Sequence, residues 1–330
     1  MRRGSHGGDE RRIDEGLFVA IHGVEQWLVL RGADRRNPAL MLVPGPGGAT
    51  SAWAPFFAAW EERYTLIHWD QPGGGATQAK NGDGGTGPLT LERLARDGIA
   101  AADFARRRLG VRRVTLLGVS GGTIVGLMMI RRRPESFSAY VGSGQVVDWA
   151  RQDALSYRLL IERAHAANDA AMLADLERIG PPPYADTATD AVKSKYAGAW
   201  TAAEAAAVAP LFPLMAAARE GRPASYLAPG LELGDPRTVA TAAYDPLRPE
   251  IVAFDARRLG NRFDVPLFFF QGADDRYTVT EEVRRYVAEL DAPAKTLVEI
   301  EGAGHSALFL RDEMLRLLEL HVRPAVAASE

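Results

Sequence analysis

Cysteine is absent from this chain. Its absence excludes a disulfide framework, a thiolate zinc site, an iron–sulfur cluster and a cysteine nucleophile, so any covalent catalysis must use another side chain. Lysine is scarce: Lys80, Lys193, Lys195 and Lys295 are the only four among 39 basic residues, a bias that fits the codon usage of a GC-rich genome better than it fits chemistry. Neither sign of charge dominates, since 39 basic residues face 42 acidic ones for a net −3. That balance gives no general pull toward nucleic acid or an anionic membrane, and neither is expected as a partner. Also lacking is a continuous apolar run of the roughly 20 residues that a membrane span needs. Val114 to Ile130 carries no charge over 17 residues, but Gly118, Ser120, Gly121 and Gly122 interrupt it. Asn37 to Trp60 is uncharged too, yet Pro38, Pro44, Pro46 and Pro55 cannot share one helix. The first 16 residues, MRRGSHGGDERRIDEG, are polar and highly charged, with a basic start and no long apolar region behind them. They read as a flexible tail rather than a secretory signal, and a cytoplasmic location is expected.

What is present is the composition of a globular protein, 47% hydrophobic and 25% charged over 330 residues, enough to bury a sizeable core. Residues 17–31 alternate about His22-Gly23 and suggest two paired strands. Ala39 to Val43 and Tyr64 to Trp69 are compact apolar runs of the kind found in strands covered on both faces. Ser51 to Arg63 between them is expected to be helical. Then follow an amphipathic helix over Leu91 to Leu109, a strand over Val114 to Val119, a helix over Gly122 to Arg133 and a strand near Phe137 to Gly142. Such alternation implies an α/β fold with a mostly parallel, doubly wound sheet flanked by helices. From 147 to 251 the chain turns Ala-rich, with few β-branched runs, and is expected to be a helical insertion. Alternation returns with strands at Val265 to Gln271 and Thr296 to Ile300 and helices at Thr280 to Leu290 and Ala307 to His321. The expected organisation is therefore a tail over 1–16, a core over 17–146 and 252–330, and an inserted unit over 147–251.

Gly118-Val119-Ser120-Gly121-Gly122 fits G-x-S-x-G between an apolar strand and a helix, the context in which a serine is thrust out on a sharp turn facing a helix N-terminus. An ordinary turn with a capping serine is the competing explanation. A serine nucleophile needs a base, usually a histidine oriented by a carboxylate. Six histidines are available, and only His305, in GAGHSA, sits in a glycine-flanked loop directly after a predicted strand. The strand VPLFFFQ runs into Gly272-Ala273-Asp274-Asp275, which places acids on a strand-end loop. Ser120, Asp275 and His305 then follow the chain order Ser, Asp, His.

At this point the sequence resembles the α/β-hydrolase superfamily, and within it the proline iminopeptidase-like branch, over nearly the whole chain after the tail. Val43-Pro44-Gly45-Pro46-Gly47-Gly48 stands where that branch has H-G-G-P-G, keeping G-P-G and losing the histidine. Asp70-Gln71-Pro72-Gly73-Gly74-Gly75-Ala76-Thr77 matches D-Q-R-G-x-G-x-S, with Pro for Arg and Thr for Ser. The family acid in G-x-x-D falls on Asp275 rather than Asp274. The resemblance implies an α/β-hydrolase fold with a helical cap over 147–251 and a serine hydrolase cleaving a small ester, amide or short peptide without cofactor or metal. It also implies an oxyanion hole: Gly121 N–H is one donor, and since Pro44 and Pro46 have no N–H, Gly45 is the second. Iminopeptidases use cap glutamates to bind the substrate ammonium. Trp200-Thr201-Ala202-Ala203-Glu204 echoes the family's W-S-x-W-E, which makes Glu204 and Trp200 candidates for substrate binding, with Glu232 in LAPGLELG a candidate second acid. A solvated position on an Ala-rich helix accounts for Glu204 equally well. Tyr196, Phe212 and Leu214 are further candidate lining residues. Release of an N-terminal aminoacyl or prolyl group is thus expected, with a cap-bearing carboxylesterase as the alternative.

Two other classes compete. Gly45-Pro46-Gly47-Gly48-Ala49-Thr50 followed by Asp70 resembles a damaged dinucleotide-binding fingerprint, with Thr50 where the third glycine belongs. A catalytically dead hydrolase fold acting as a binding protein is the other. A P-loop is excluded, because no G-x-x-x-x-G-K-[ST] occurs.

Overall fold

The computed structural model describes residues 11–213, 228 and 236–327. Eight strands form one sheet in the order β1-β2-β4-β3-β5-β6-β7-β8. They are β1 (Ile13–Ile21), β2 (Val24–Gly32), β3 (Ala39–Val43), β4 (Thr65–Asp70), β5 (Val114–Val119), β6 (Phe137–Ser143), β7 (Leu267–Gly272) and β8 (Lys295–Ile300). β1 pairs antiparallel with β2 and β2 with β4, and every later pairing is parallel. The β1–β2 hairpin turns on His22 and Gly23, with φ of 46° and 85°, the positive pair that a two-residue turn of matching twist requires. β1 starts at Ile13, inside the stretch assigned to the tail from sequence.

The predicted buried strands owe their continuous apolar runs to cover on both faces. In β3, Met41 and Val43 join a cluster with Leu94 and Ile99 of α2 (Leu91–Leu109), Ile124 and Leu127 of α3 (Gly122–Arg132), and Val283 and Tyr286 of a helix over Thr280–Glu289. Leu40 and Leu42 point the other way, toward Phe57, Trp60, Leu308, Met314 and Leu318. α1 (Gly75–Asn81), a short helix after β4, gave no periodic signal in its Gly-rich sequence. The expected helix over Ser51 to Arg63 is instead two 3₁₀ stretches, Ser51–Trp53 and Ala58–Glu62. Pro55, which has no N–H, lies between them, and Phe56, Phe57 and Trp60 are sunk into the core. The C-terminal helix is likewise broken, with a 3₁₀ turn over Ala307–Phe309 and a π stretch over Leu318–Val322.

Between β6 and β7 the described chain includes the α-helices α4 (Trp149–Ala167), α5 (Ala170–Ile179), α6 (Thr187–Ala197), α7 (Ala202–Val208) and α8 (Pro236–Val252). Asp148, Asp169, Asp186 and Thr201 cap the first four, each side chain accepting a backbone N–H from the first turn. Leu160, Ala164, Met172, Leu176 and Ala197 give this unit a small core of its own. The chain enters and leaves it side by side, with Trp149 N–H bonded to Phe254 O at 3.1 Å and Ala256 N–H to Val147 O at 2.7 Å. Buried Glu282 ties that root, 2.9 Å from both Arg151 and Arg257. No described helix is long and apolar enough to cross a membrane, and Val114 to Ile130 forms β5 and α3.

Packing is tight at the start of α3, where a Cβ on Gly122 would collide with the Val43 and Pro44 carbonyl oxygens. Gly122→Ala is expected to destabilise the fold by about 1–3 kcal/mol, as overpacking generally does. A lowered urea midpoint at unchanged m-value is the expected result, and an unchanged midpoint would show that β3 can yield.

Candidate active site

β5 ends at Val119 and α3 begins at Gly122, so the chain turns over Ser120 and Gly121 alone. Ser120 has φ of 51°, a left-handed conformation costing a non-glycine residue about 1–3 kcal/mol. Its neighbours hold it there. Ser120 N–H donates to Ser143 O at the end of β6 at 2.9 Å, and Ser120 O accepts from the Thr123 N–H at 2.9 Å and the Thr123 hydroxyl at 2.6 Å. The result turns Ser120 toward the loops that follow β7 and β8.

His305, in the loop after β8, lies with Nε2 2.9 Å from Ser120 Oγ and Nδ1 3.1 Å from Asp275 Oδ2. Asp275, after β7, is buried and its carboxylate is fully engaged. Tyr277 N–H and Thr278 N–H donate to Oδ1 at 2.8 and 2.9 Å, while the Thr278 hydroxyl and Gln271 Nε2 donate to Oδ2 at 2.7 and 2.8 Å. Burial alone would raise this carboxyl, but the facing His305 and the Thr278 bonds hold it below the usual carboxylate range. Its stabilising contribution is therefore complete above the unfolded-state value of about 3.9 and is lost as pH falls through the lowered folded value. An ionised Asp275 keeps the proton on Nδ1, which leaves Nε2 free to accept the Ser120 proton. The Tyr277 ring lies over the imidazole, centroids 4.7 Å apart and planes tilted by 32°. Asp274 turns away toward Arg276, at 3.7 Å.

The loop after β3 comes up beside this line. A Cβ on Gly45 would stand 4.0 Å from the N and Cα of Gly121, and both glycines border the same cavity as Ser120. Among the described residues neither the Gly45 nor the Gly121 N–H is engaged by a protein acceptor. Two prolines leave this loop short of donors, and a side chain braces it instead. Gln71, fully buried after β4, donates Nε2–H to Pro44 O at 3.1 Å and accepts Gly47 N–H on Oε1 at 2.9 Å. Pro44 C=O and Gly45 N–H belong to one trans peptide and point oppositely, so pinning the carbonyl aims the N–H away from Gln71. The D-Q-P-G match drew attention to this segment without giving Gln71 a role. Its neighbour Asp70 is also buried, accepting from Ser51 N–H at 3.0 Å, the Ser51 hydroxyl at 2.8 Å and Ala76 N–H at 2.9 Å. A carboxylate so committed and wholly buried is out of reach of a ribose, which removes the residue on which the dinucleotide-binding alternative depended.

The cavity above Ser120 measures about 350 Å³. Thr187, Asp190, Ala191 and Ser194, one face of α6 at helical spacing, form a wall, and Trp149, Tyr244, Ile251 and Tyr277 supply apolar surface. Asp190 is the only acidic side chain among the described lining residues, and burial raises its carboxyl, with Arg248 opposing. Behind it Lys193, almost wholly buried, makes an ion pair with Asp153 of α4 and lies 3.7 Å from Asp190. Nothing in the sequence could mark Asp190, because no local pattern tells that α6 folds over Ser120.

The other candidate substrate residues sit elsewhere. Trp200 is exposed and packs on exposed Phe212, centroids 5.6 Å apart, outside the cavity. Tyr196 bonds Asp175 at 2.7 Å, away from the lining. Glu204 is fully buried rather than solvated, and both its oxygens accept backbone N–H groups, from Thr201 at 2.9 Å and Gly304 at 2.8 Å. It therefore does not face the cavity as an ammonium site would. Glu232 and Leu214 lie outside the described residues.

Residues 38–312 match the family model described as the alpha/beta hydrolase fold. The chain belongs to that family. It is 25% identical over 296 residues to the "Probable aminopeptidase YbaC" of Bacillus subtilis (strain 168), covering 87% of this chain and 89% of that one. Among solved structures it is similar to a proline iminopeptidase-related protein from Thermus thermophilus, with TM-score 0.62 at 17% identity over 96% of this chain and all of the other. An esterase from Rhodococcus sp. ECU1013 superimposes with TM-score 0.56 at 16% identity, over 96% and 98% of the two chains. At those identities the two structures speak for the fold.

The buried charges behind α6 make the cavity wall sensitive to one substitution. Lys193→Met strands Asp153 and Asp190 and is expected to cost about 3–5 kcal/mol of stability, read as the shift in denaturant midpoint. Adding Asp153→Leu should recover part of that loss, and a single variant as stable as the parent would show that the charges are solvated.

Proposed function

We propose that this protein is a serine hydrolase that forms an acyl-enzyme and releases an N-terminal aminoacyl or prolyl group from a small substrate. The observation that carries the proposal is the continuous line from Ser120 Oγ through His305 to the buried Asp275 carboxylate, at 2.9 and 3.1 Å. Ser120 attacks the carbonyl while His305 Nε2 takes its proton, and His305 then returns that proton to the departing amine or alcohol. Asp275 holds the imidazole in the required tautomer and stabilises its charged form. Gly121 and Gly45 donate their N–H groups to the developing oxyanion, assisted by the N-terminus of α3. Water then repeats the sequence on the acyl-enzyme, freeing Ser120.

Residues 147–251 act as a cap on the core, and the size of the cavity they complete suits a small molecule rather than a folded protein. For an aminoacyl substrate Asp190 is the anionic partner in the cavity, in the role sequence comparison had suggested for Glu204. A substrate ammonium would add, from the cavity side, a second cation to the one that Lys193 presents to Asp190 from behind at 3.7 Å. The extended similarity to the "Probable aminopeptidase YbaC" supports this preference. The largely apolar remainder of the wall favours a second reading, a carboxylesterase acting on uncharged acyl groups.

Hydrolysis of a short-chain p-nitrophenyl ester, compared with that of prolyl and alanyl p-nitroanilides, separates the two. Ser120→Ala should abolish turnover of all three with the fold intact, and Asp275→Asn should lower kcat by about 10³–10⁴. Asp190→Asn should lower kcat/KM on the anilides about ten- to hundredfold, the worth of one charge-assisted bond, and spare the ester. Turnover of the ester alone, indifferent to Asp190, establishes the esterase instead. Retained activity in purified Ser120→Ala removes the mechanism altogether.

A further inference from the structure

Glu204 carries more contacts than a helix cap requires. It stands in the first turn of α7, where its Oε2 accepts Thr201 N–H at 2.9 Å and its own N–H donates to Thr201 Oγ1 at 3.2 Å, completing a capping box. The cap occupies one oxygen. The other reaches a residue 100 positions away, accepting Gly304 N–H at 2.8 Å, from the peptide immediately before the one that leads into His305. That same peptide unit is held on its opposite edge, because the Ala303 carbonyl accepts Asp274 N–H at 2.9 Å. C=O and N–H of a trans peptide are antiparallel, so one bond on each edge fixes the plane against rotation. The approach is close: a Cβ on Gly304 would stand 3.2 Å from Glu204 Oε2 and 3.4 Å from Thr201 Cγ2. Glu204 is wholly buried, and a bond from an N–H to a buried carboxylate is among the stronger ones a protein makes.

We propose that Glu204 is a positioning residue for His305, clamping the Ala303–Gly304 peptide from the helical insertion while the Asp275 loop clamps it from the core. The inference rests on the assignment of His305 as the base for Ser120. It makes α7 part of the catalytic geometry instead of a mere cover. Without Glu204 the peptide is free to swing about its remaining bond, and the imidazole loses its register with Ser120 Oγ. A misplacement of about 1 Å typically costs about 10²-fold in rate.

The test compares Glu204→Ala, Glu204→Gln and Thr201→Val on the p-nitrophenyl ester and alanyl p-nitroanilide, with Ser120→Ala alongside. Thr201→Val is the control: it removes the capping hydroxyl, keeps the methyl group near Gly304 and leaves the Glu204–Gly304 bond in place. Glu204→Ala should lower kcat about ten- to hundredfold by the same factor on both substrates, with KM within about threefold. Glu204→Gln, which keeps one acceptor oxygen, should recover part of the loss. Thr201→Val should lower Tm yet leave kcat within about twofold. In ¹⁵N-histidine NMR without substrate, the His305 ring resonances should shift in Glu204→Ala and stay in Thr201→Val. If Glu204→Ala does not fold, Glu204→Gln against Thr201→Val decides the matter. A loss confined to the anilide would return Glu204 to ammonium binding, and equal kcat losses in the Thr201 and Glu204 variants would reduce it to a cap. Full activity in a folded Glu204→Ala would end the proposal. Activity surviving in Ser120→Ala, by contrast, would overturn the hydrolase mechanism itself and not Glu204 alone.

Discussion

The turn from β5 into α3 is the constraint around which the rest of the molecule is arranged. Ser120 occupies a backbone conformation that a serine does not choose for itself, so the surrounding structure must hold it there. Parallel strands on either side do this: β3 brings its carbonyls against Gly122, and β6 accepts the Ser120 N–H at its own end. Because β3 to β8 run parallel, their carboxyl ends emerge on one edge of the sheet. Gly45 follows β3, Gln71 follows β4, Asp275 follows β7 and His305 follows β8. A group far apart in sequence is thus gathered by topology alone.

Gathering is coarse, and the finer alignment comes from individual peptide planes. The Pro44–Gly45 unit is held through its carbonyl by Gln71, and the Ala303–Gly304 unit is held on both edges by Asp274 and Glu204. All three partners reach the loops from outside, which is how irregular backbone acquires the rigidity that a strand or helix has from its own hydrogen bonds. Gln71 and Glu204 are buried, which suits this work, since no water competes for the carbonyl and N–H groups they engage.

Much of this was legible in the sequence where local signals coincide with global ones. The helix over Leu91–Leu109 has its Thr90 cap, its apolar stripe and its terminal Gly110, and its bounds agree with expectation. Ser120, Asp275 and His305 each follow an apolar strand, and the structure brings them within hydrogen-bonding reach. Where tertiary packing overrides local pattern, the sequence misleads. Ser51 to Arg63 has a helix-like composition, yet burying Phe56, Phe57 and Trp60 just after Pro55 breaks it into 3₁₀ turns. Glu204 looked like a substrate ligand or a solvated side chain, because a motif reports spacing along the chain and not which way a capped helix turns its first-turn acid. Asp190 was invisible for the converse reason: its importance comes wholly from where α6 lies.

The two sides of α6 have separate tasks. Thr187, Ala191 and Ser194 face the cavity, whereas Lys193 faces inward and locks the helix to α4 through Asp153. Positions that shape the cavity are therefore distinct from the one that secures the helix. Selection can enlarge Ala191 or change the polarity of Thr187 without loosening the lock, so the range of substrates can drift across relatives while the scaffold that presents them stays the same.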